Sequence, residues 1–300
     1  MRDQAEKLRE LINHSKPDDG SKLHLVDEDK DDPKDARIIT VSSGKGGVGK
    51  TNFTVNLGIA LSKLGHKVTI IDADLGLANI DVILGLVPKY TLTHVVKDEM
   101  NINDILMEGP GGIQIVSGGS GVMELVNMEN EQLETLISSF EYMNNDSDFI
   151  LIDTGAGLSQ SVISFIEAAD EVILVITPDP TSITDAYAVI KNIAEKEKQI
   201  KVVINRIESN KEGYDVFHKI NSAAQKFLNV EVESLGFIYE DMNVKKSVRQ
   251  QTPFILKYPH CLASKGVGTI ANNLANDNCY TNNVNGFSRF INKLFTGMKR

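Results

Sequence analysis

Residues Arg37 to Asp81, RIITVSSGKGGVGKTNFTVNLGIALSKLGHKVTIIDADLGLANID, constrain the fold more than any other stretch of the chain. Ile38, Ile39 and Val41, with Thr40 between them, form a short β-branched apolar run of the kind buried on both faces of a parallel sheet. The run breaks at Ser42, Ser43 and Gly44. Gly44, Gly46, Gly47 and Gly49 let consecutive backbone N–H groups turn toward an anion, and the first turn of the following helix adds unpaired donors and the positive end of its dipole. Lys50 supplies a mobile charge for outer phosphates, and Thr51 places a hydroxyl where a phosphate-bound Mg²⁺ needs a ligand. Gly44 to Thr51 therefore satisfies G-x-x-x-x-G-K-[ST] in the required order of strand, loop and helix. A glycine-rich turn with an incidental lysine is the other reading.

From Asn52 the pattern FTVNLGIALSKLG predicts a helix with Val55, Ile59 and Leu64 on its apolar face and Gly65 just past its end. The strand VTIID follows and runs out at Asp72 and Asp74, on the carboxyl edge where open α/β sheets collect ligands. Carboxylates there hold Mg²⁺ through its water shell or orient a water in line with a phosphate; capping of the next turn is the other reading for either aspartate. FILIDTGAG is a second anchor. Its strand, Phe149 to Ile152, ends in Asp153, placed near Thr51 and a metal-bound water, and the Gly155 N–H is a sensor of the terminal phosphate. Two distant motifs share one ion only if their strands are neighbours, so these two strands are expected side by side.

Lys45, directly after the first glycine, extends the loop to K-G-G-x-G-K-[TS] from Lys45 to Thr51, and here the chain resembles the MinD/ParA/Mrp group of deviant Walker A ATPases. The resemblance covers Arg37 to Ala275 and implies an α/β P-loop NTPase: a mostly parallel twisted sheet with helices on both faces, MinD-like in topology. It implies ATP and Mg²⁺ as cofactors, with the loop from Gly44 through Val48 to Thr51, together with Asn52, around the nucleotide. By the same resemblance Lys45 reaches the partner's phosphates in an ATP-bound homodimer, Asp74 positions the attacking water, and Asp72 supports the metal beside Thr51 and Asp153. Lys50 and Asp153 complete the expected catalytic set, and Asn79, Ile80 and Asp81 continue this first switch toward the dimer face. The strand QIKVVINRIE ends at Asn205 and Arg206; in this family the asparagine reads adenine through an amide that both donates and accepts, a turn-forming asparagine being the other reading. SLGFIYEDMNVKK resembles the G-x-[IVL]-P-x-D passage that closes over the base, which places Ile238, Tyr239 and Asp241 against adenine and ribose, although Tyr239 stands where the family has proline.

The rest of the chain reads as scaffold. Leu92, Val95, Val96, Ile102, Ile105 and Leu106 predict two short helices, and Gly111 to Gly119 a strand whose glycines are followed by no lysine, so it is not a second phosphate loop. Further helices are expected over Glu131–Phe140, Ser161–Ala168, a stretch opened by Ser182 and Thr184, Gly213–Leu228, and SKGVGTIANNLAN as the last of the core. A length of 300 residues suits one large domain with appendages, and a net charge of −10 argues against nucleic acid as a partner. Cys261 and Cys279, 18 positions apart, suggest neither a disulfide framework nor a zinc site. No apolar run of 18 residues occurs and the first residues are polar, so the expectation is a cytosolic protein, neither secreted nor membrane spanning.

Both termini carry a further message. MRDQAEKLRELI predicts a short helix, followed by a stretch in which Asp18 to Asp35 holds eight acidic and three basic residues. Asp3, Gln4, Ala5, Leu8 and Arg9 resemble the DQAxxLR signature of the FlhG (YlxH) family, the flagellar branch of the MinD-like group. That resemblance implies binding and stimulation of the FlhF GTPase, and contacts with the flagellar components FliM or FliN/FliY; an ordinary frayed terminus is the other reading. At the opposite end Phe287, Phe290, Ile291, Leu294, Phe295 and Met298 recur at helical spacing, while Arg289, Lys293, Lys299 and Arg300 add four positive charges. Such a helix suits the inner face of an anionic membrane, where dimerisation doubles the anchors; a last helix packed on its own core is the alternative. The expected division is 1–36, 37–281 and 282–300. Competing functions are a MinD-type division-site ATPase and a ParA-like partition ATPase, the latter disfavoured by the charge; an Mrp-type iron–sulfur carrier or a nitrogenase iron protein needs cysteines that are missing, and a metabolic relative such as dethiobiotin synthetase is remoter still.

Overall fold

The computed structural model describes residues 36–74, 79–97, 99–119, 146–196, 198–277 and 286–298, with the side chains of 96 and 286–288 excepted. All of them fall within the compact unit Pro33–Arg300. The N-terminal signature residues Asp3, Gln4, Ala5, Leu8 and Arg9, the acidic stretch, the helix expected over Glu131–Phe140, the Phe287 side chain and Lys299 and Arg300 lie outside the described residues.

Strand β1 (Arg37–Ser43) is buried along its whole length. Its side chains alternate between two cores: Ile39 and Val41 join one, Ile38 the other. Thr40 also points to the second side, where its Oγ1 donates to the Phe165 carbonyl at 3.1 Å. This two-sided burial is why the run is continuously apolar rather than alternating.

Around β1 stand β2 (Val68–Ala73), β3 (Met107–Glu108), β4 (Gln114–Ser117), β5 (Phe149–Ala156), β6 (Glu171–Ile176), β7 (Gln199–Ile207) and β8 (Glu233–Tyr239). They form an eight-stranded sheet in the order β3-β4-β2-β5-β1-β6-β7-β8. Only the short β3 runs antiparallel, beside β4. Arg37–Val41 pairs in parallel with Phe149–Asp153, so the two phosphate motifs leave adjacent strands as expected.

On one face α1 (Lys50–Lys63), α9 (Phe254–Lys257) and α10 (Leu262–Ala275) cover β1, β2 and β5 through Phe53, Leu57, Phe254, Val267 and Ile270. The other face is covered by α5 (Gln160–Ala168), α6 (Pro180–Ile193) and α7 (Asn210–Leu228). Short helices α2 (Ile80–Leu84), α3 (Leu92–Val96) and α4 (Ile102–Ile105) follow β2, and α8 (Met242–Arg249) follows β8. Helices α3 and α4 are the two short ones expected, and Gly65 sits past α1 with φ +96°, the left-handed end that its position predicts.

The final helix, α11 (Gly286–Met298), lies packed on its own domain in this structure. Phe290, Ile291, Leu294, Phe295 and Met298 do not face outward toward a membrane: all are buried, in a core shared with Ile38, Ile150 and Phe165. The alternative reading, a last helix packed on its own domain, is the one realised in this structure. The reason is a fitted partner surface on α5. Gly297 has no side chain to hold it off, since a Cβ there would lie 3.0 Å from Ser164 Oγ. Gln160 Nε2 donates to the Gly297 carbonyl at 3.0 Å, Phe165 and Phe290 stack at 6.4 Å between ring centroids, and Arg289 pairs with Asp170. Burial of each large apolar side chain contributes about 1.5–3 kcal/mol, more than an isolated short helix gains by lying free in water.

At the opposite edge of the sheet from the phosphate loop lies a buried ionic set that the sequence does not announce. Arg37 pairs with Glu171, its Nη2 reaching Oε2 at 2.7 Å. Lys201 Nζ reaches the same carboxylate at 2.7 Å and also pairs with Asp277. Arg37 Nη1 donates to the Leu274 carbonyl at 2.7 Å, which pins the end of α10 beneath the sheet. Side-chain exposure is 6% for Arg37, 2% for Glu171 and 0% for Lys201.

Candidate nucleotide site

Between β1 and α1 the chain turns through Gly47 at φ +80° and Gly49 at φ +92°, conformations that favour glycine. Gly44 is constrained differently from the expectation. A Cβ on it would stand 2.3 Å from the Asp185 backbone carbon, so its bare backbone is what allows the loop to pass against α6. Gly49 is fixed twice, because a Cβ would also approach Asn205 Nδ2 to 2.6 Å.

Two adjoining cavities open at this carboxyl edge, sharing Gly49, Asn52 and Arg206 in their walls. The first, of about 410 Å³, is lined by Gly46, Gly47, Lys50, Thr51, Asp74, Asn79 and Ile83 among others. The second, of about 350 Å³, takes its walls from Phe53, Asn205, Ile238, Tyr239, Asp241, Val244, Val248 and Phe254. A polar lobe rimmed by a phosphate loop beside an apolar lobe with one amide fits a nucleotide, with phosphates in the first and base in the second.

Asn205 lines the second lobe. Its Nδ2 donates to the Val48 carbonyl at 2.7 Å and its Oδ1 accepts from the Arg206 N–H at 3.0 Å, so its amide is oriented by the phosphate loop and by its own neighbour. Arg206 adopts φ +61°, a left-handed bulge inside β7 at which the register with β8 shifts between Asn205 and Ile207. Ile238 and Tyr239 line the base lobe, the Tyr239 hydroxyl donating to Asn210 Oδ1 at 2.8 Å. Asp241 lines it too, but its oxygens serve the scaffold: Oδ1 accepts from the Asn243 N–H at 2.8 Å and Oδ2 from the Leu262 N–H at 3.1 Å. It caps α8 and ties it to α10 while remaining in the wall of the base lobe.

Behind the phosphate lobe, Lys50 Nζ reaches Asp153 Oδ1 at 2.8 Å, and Thr54 Oγ1 donates to the same oxygen at 3.0 Å. Asp153 is fully buried, and its other oxygen, Oδ2, has no hydrogen-bond partner. An orphaned buried carboxylate oxygen on the strand beside Thr51's helix is the donor chemistry that hydrated Mg²⁺ takes, so Thr51 and Asp153 fit the ion. Asp72 is given a different task. It is 2% exposed; Oδ1 accepts from the Asp74 N–H at 3.1 Å, and Oδ2 from the N–H groups of Asn79 and Ile80 at 3.0 and 3.1 Å. Burial pushes its pKa up to about 6, against the pull of the Ile80 N–H, with the Asp153 carboxylate pushing further upward. Asp72 therefore holds the first switch by its backbone rather than standing free as a metal ligand or catalytic group.

Asp74 points to the phosphate lobe, with Asn79 Nδ2 on its Oδ2 at 3.3 Å. A Cβ on Gly155 would lie 3.5 Å from Asp74 Oδ1, so the two switches meet here. Ile80 and Asp81 are buried, Asp81 receiving the Ser117 hydroxyl at 2.9 Å, and do not continue toward a dimer face; Val82 is the residue that turns outward. Lys45 extends from the loop to Thr181 Oγ1 at 2.8 Å, on the exposed start of α6. The phosphate-loop residues Gly46, Gly47, Gly49, Lys50 and Thr51 and the switch residue Asp74 are thus brought together; Asp153 stands behind them and Lys45 outside. Sequence reading missed Thr54 and Ile83, and the contribution of α8, whose i, i+4 pair Val244 and Val248 was the available signal.

Fold and site together define a P-loop NTPase. The chain belongs to the ParA family: residues 34–275 match the family model described as ParA, NUBPL iron-transfer P-loop NTPase. It is 42% identical over 237 residues to the antiactivator FleN of Pseudomonas aeruginosa, covering 78% of this chain and 85% of that one. To the flagellum site-determining protein YlxH of Helicobacter pylori it is 33% identical over 90% of both chains. Among solved structures, MinD in the MinC:MinD complex of Aquifex aeolicus superposes with a TM-score of 0.65 at 29% identity, over 83% of this chain and 99% of that one. MinD of Pyrococcus horikoshii, solved with Mg-ADP, gives 0.64 at 25% identity over 80% and 96%.

Proposed function

We propose that this chain is an ATP-hydrolysing switch that dimerises with ATP, associates with the membrane, and regulates flagellar number and placement by stimulating the FlhF GTPase. The observation that carries the ATPase reading is the meeting of Asp74, Gly155 and the phosphate loop at one lobe, with an asparagine amide at the next. The flagellar role is supported by the likeness to FleN and YlxH and by the signature at Asp3 to Arg9.

The residues divide the work as follows. Loop N–H groups and Lys50 neutralise the phosphates, Lys50 leaving Asp153 as they arrive. Mg²⁺, held by Thr51 and water near Asp153, supplies charge neutralisation across the outer phosphates. Asp74, steadied by Asn79, orients the attacking water, and Lys45 gives up Thr181 to complete a partner's site, making turnover conditional on assembly. Asp74→Ala is expected to bind ATP within about twofold of wild type while losing turnover on the order of 10²–10⁴-fold, the usual contribution of a positioned acid–base group. Sedimentation of that variant in ATP and Mg²⁺ should show a trapped dimer; a monomer would sink the switch assignment.

Membrane association under this reading requires α11 to exchange its bed on α5 for lipid. Helix α5 begins three residues after Gly157, at the exit of the second switch, and its first residue, Gln160, holds Gly297. Movement at the second switch therefore bears directly on the docked helix. Two truncations separate the outputs. Removing 284–300 should end ATP-dependent co-pelleting with anionic vesicles, neutral vesicles serving as the control for the uncovered α5 surface. Removing 1–12 should leave co-pelleting and ATP turnover unchanged and abolish stimulation of FlhF GTP turnover; stimulation that survives would place the activating contact elsewhere in the chain, and a full chain that never stimulates FlhF would point to division or partition instead.

A further inference from the structure

Gln251 lies just past α8, where the backbone turns left-handed at φ +50°. Its N–H closes the helix on the Val248 carbonyl at 3.1 Å. Its side chain crosses to a different part of the chain: Nε2 donates to the Val82 carbonyl at 2.8 Å. Val82 belongs to α2, and its carbonyl is among those at a helix end that the helix's own donors serve poorly, the Gly85 N–H standing 3.4 Å away. Gly85 turns left-handed as well, at φ +64°, and a Cβ on it would lie 3.4 Å from Gln251 Cβ. Two turns of the backbone are thus packed against each other and joined by one amide.

The two helices so joined serve different lobes. Helix α8 gives Val244, Lys245, Val248 and Arg249 to the base lobe. Helix α2 gives Ile83, the residue after Val82, to the phosphate lobe beside Asn79 and Asp74. A base entering the base lobe presses on α8, and Gln251 supplies the hydrogen bond from that helix's end to α2. We infer that Gln251 is a positioning residue that transmits occupancy of the base lobe to the first switch, so that a purine base, and not phosphate alone, sets where Asn79, Ile83 and Asp74 stand. The coupling is reciprocal: whatever orders α2 also closes α8 over the base. The inference rests on the nucleotide reading of the two lobes.

The test uses the full chain, ADP and inorganic pyrophosphate, with Gln251→Glu, which keeps the size but has no donor, and Gln251→Lys, which keeps one. Calorimetry first measures ADP binding; absence of binding to wild type removes the nucleotide reading and this inference with it. With ADP bound, amide exchange across Ile80–Leu86 should slow on the order of fivefold in wild type and in the Lys variant, the value of about one hydrogen bond. The Glu variant should bind ADP within about twofold yet lose that slowing, and pyrophosphate should produce none in any of the three. Equal slowing in the Glu variant, or slowing by pyrophosphate matching that by ADP, overturns the role of Gln251 while leaving the nucleotide site intact.

Discussion

Glu171→Ala is expected to lower folding stability by about 3–5 kcal/mol, the cost of breaking a buried charge set by removing one member. The carboxylate is the common partner of Arg37 and Lys201, at 2.7 Å from each, and neither cation has access to water that would replace it. For a domain of this size the midpoint of thermal unfolding should fall by roughly 10 °C. Glu171→Gln, which keeps an acceptor but not the charge, should lie between the two. A midpoint for the Ala variant within about 2 °C of wild type would mean that Asp277 alone satisfies both cations, and that the set does not hold α10 to the sheet.

Lys50→Ala should reduce ATP turnover on the order of 10³-fold, since it removes the charge that follows the transferred phosphoryl group. It has a second effect that the structure makes separable. Without Lys50, Asp153 keeps the Thr54 hydroxyl at 3.0 Å but remains a fully buried carboxylate with no cation. Adding Asp153→Asn to Lys50→Ala should therefore recover much of the lost stability and none of the turnover. Denaturant midpoints and steady-state phosphate release on the two variants check both halves. Recovered turnover in the double variant would show that Lys50 acts only by balancing Asp153.

The phosphate loop was legible because its chemistry is local. Gly47 and Gly49 need their residue type for backbone angles, and Lys50 and Thr51 follow within the same turn of helix. Strand β1 was legible for a similar reason, its two-sided burial demanding an unbroken apolar run. What failed to show was everything produced by contact between distant segments. Gly44 looks like one more loop glycine, yet it is held by the backbone of Asp185. Asp72 and Asp74 are indistinguishable as letters; the path of 79–80 back over β2 makes one a backbone anchor and leaves the other facing the phosphates. Asp241 reads as a ligand because it sits in a resembling passage, and only the position of Leu262 reveals it as a clasp between helices.

The C-terminal stripe shows the same division from the other side. Its sequence established an amphipathic helix with an apolar face that must be covered, since spacing of 3 and 4 residues fixes a face whatever lies opposite. It carried no information on what covers that face, because lipid and the surface of α5 are equivalent as apolar partners. The tertiary structure decided for α5, through Phe165, Ser164 opposite Gly297, and Asp170 opposite Arg289. By itself the sequence determined the phosphate loop, the parallel sheet it grows from and the set of residues able to meet a nucleotide. The fold decided which of them face it, which hold the scaffold and how the base lobe is joined to the phosphate lobe, because those roles depend on side-chain direction and on neighbours far away in the chain.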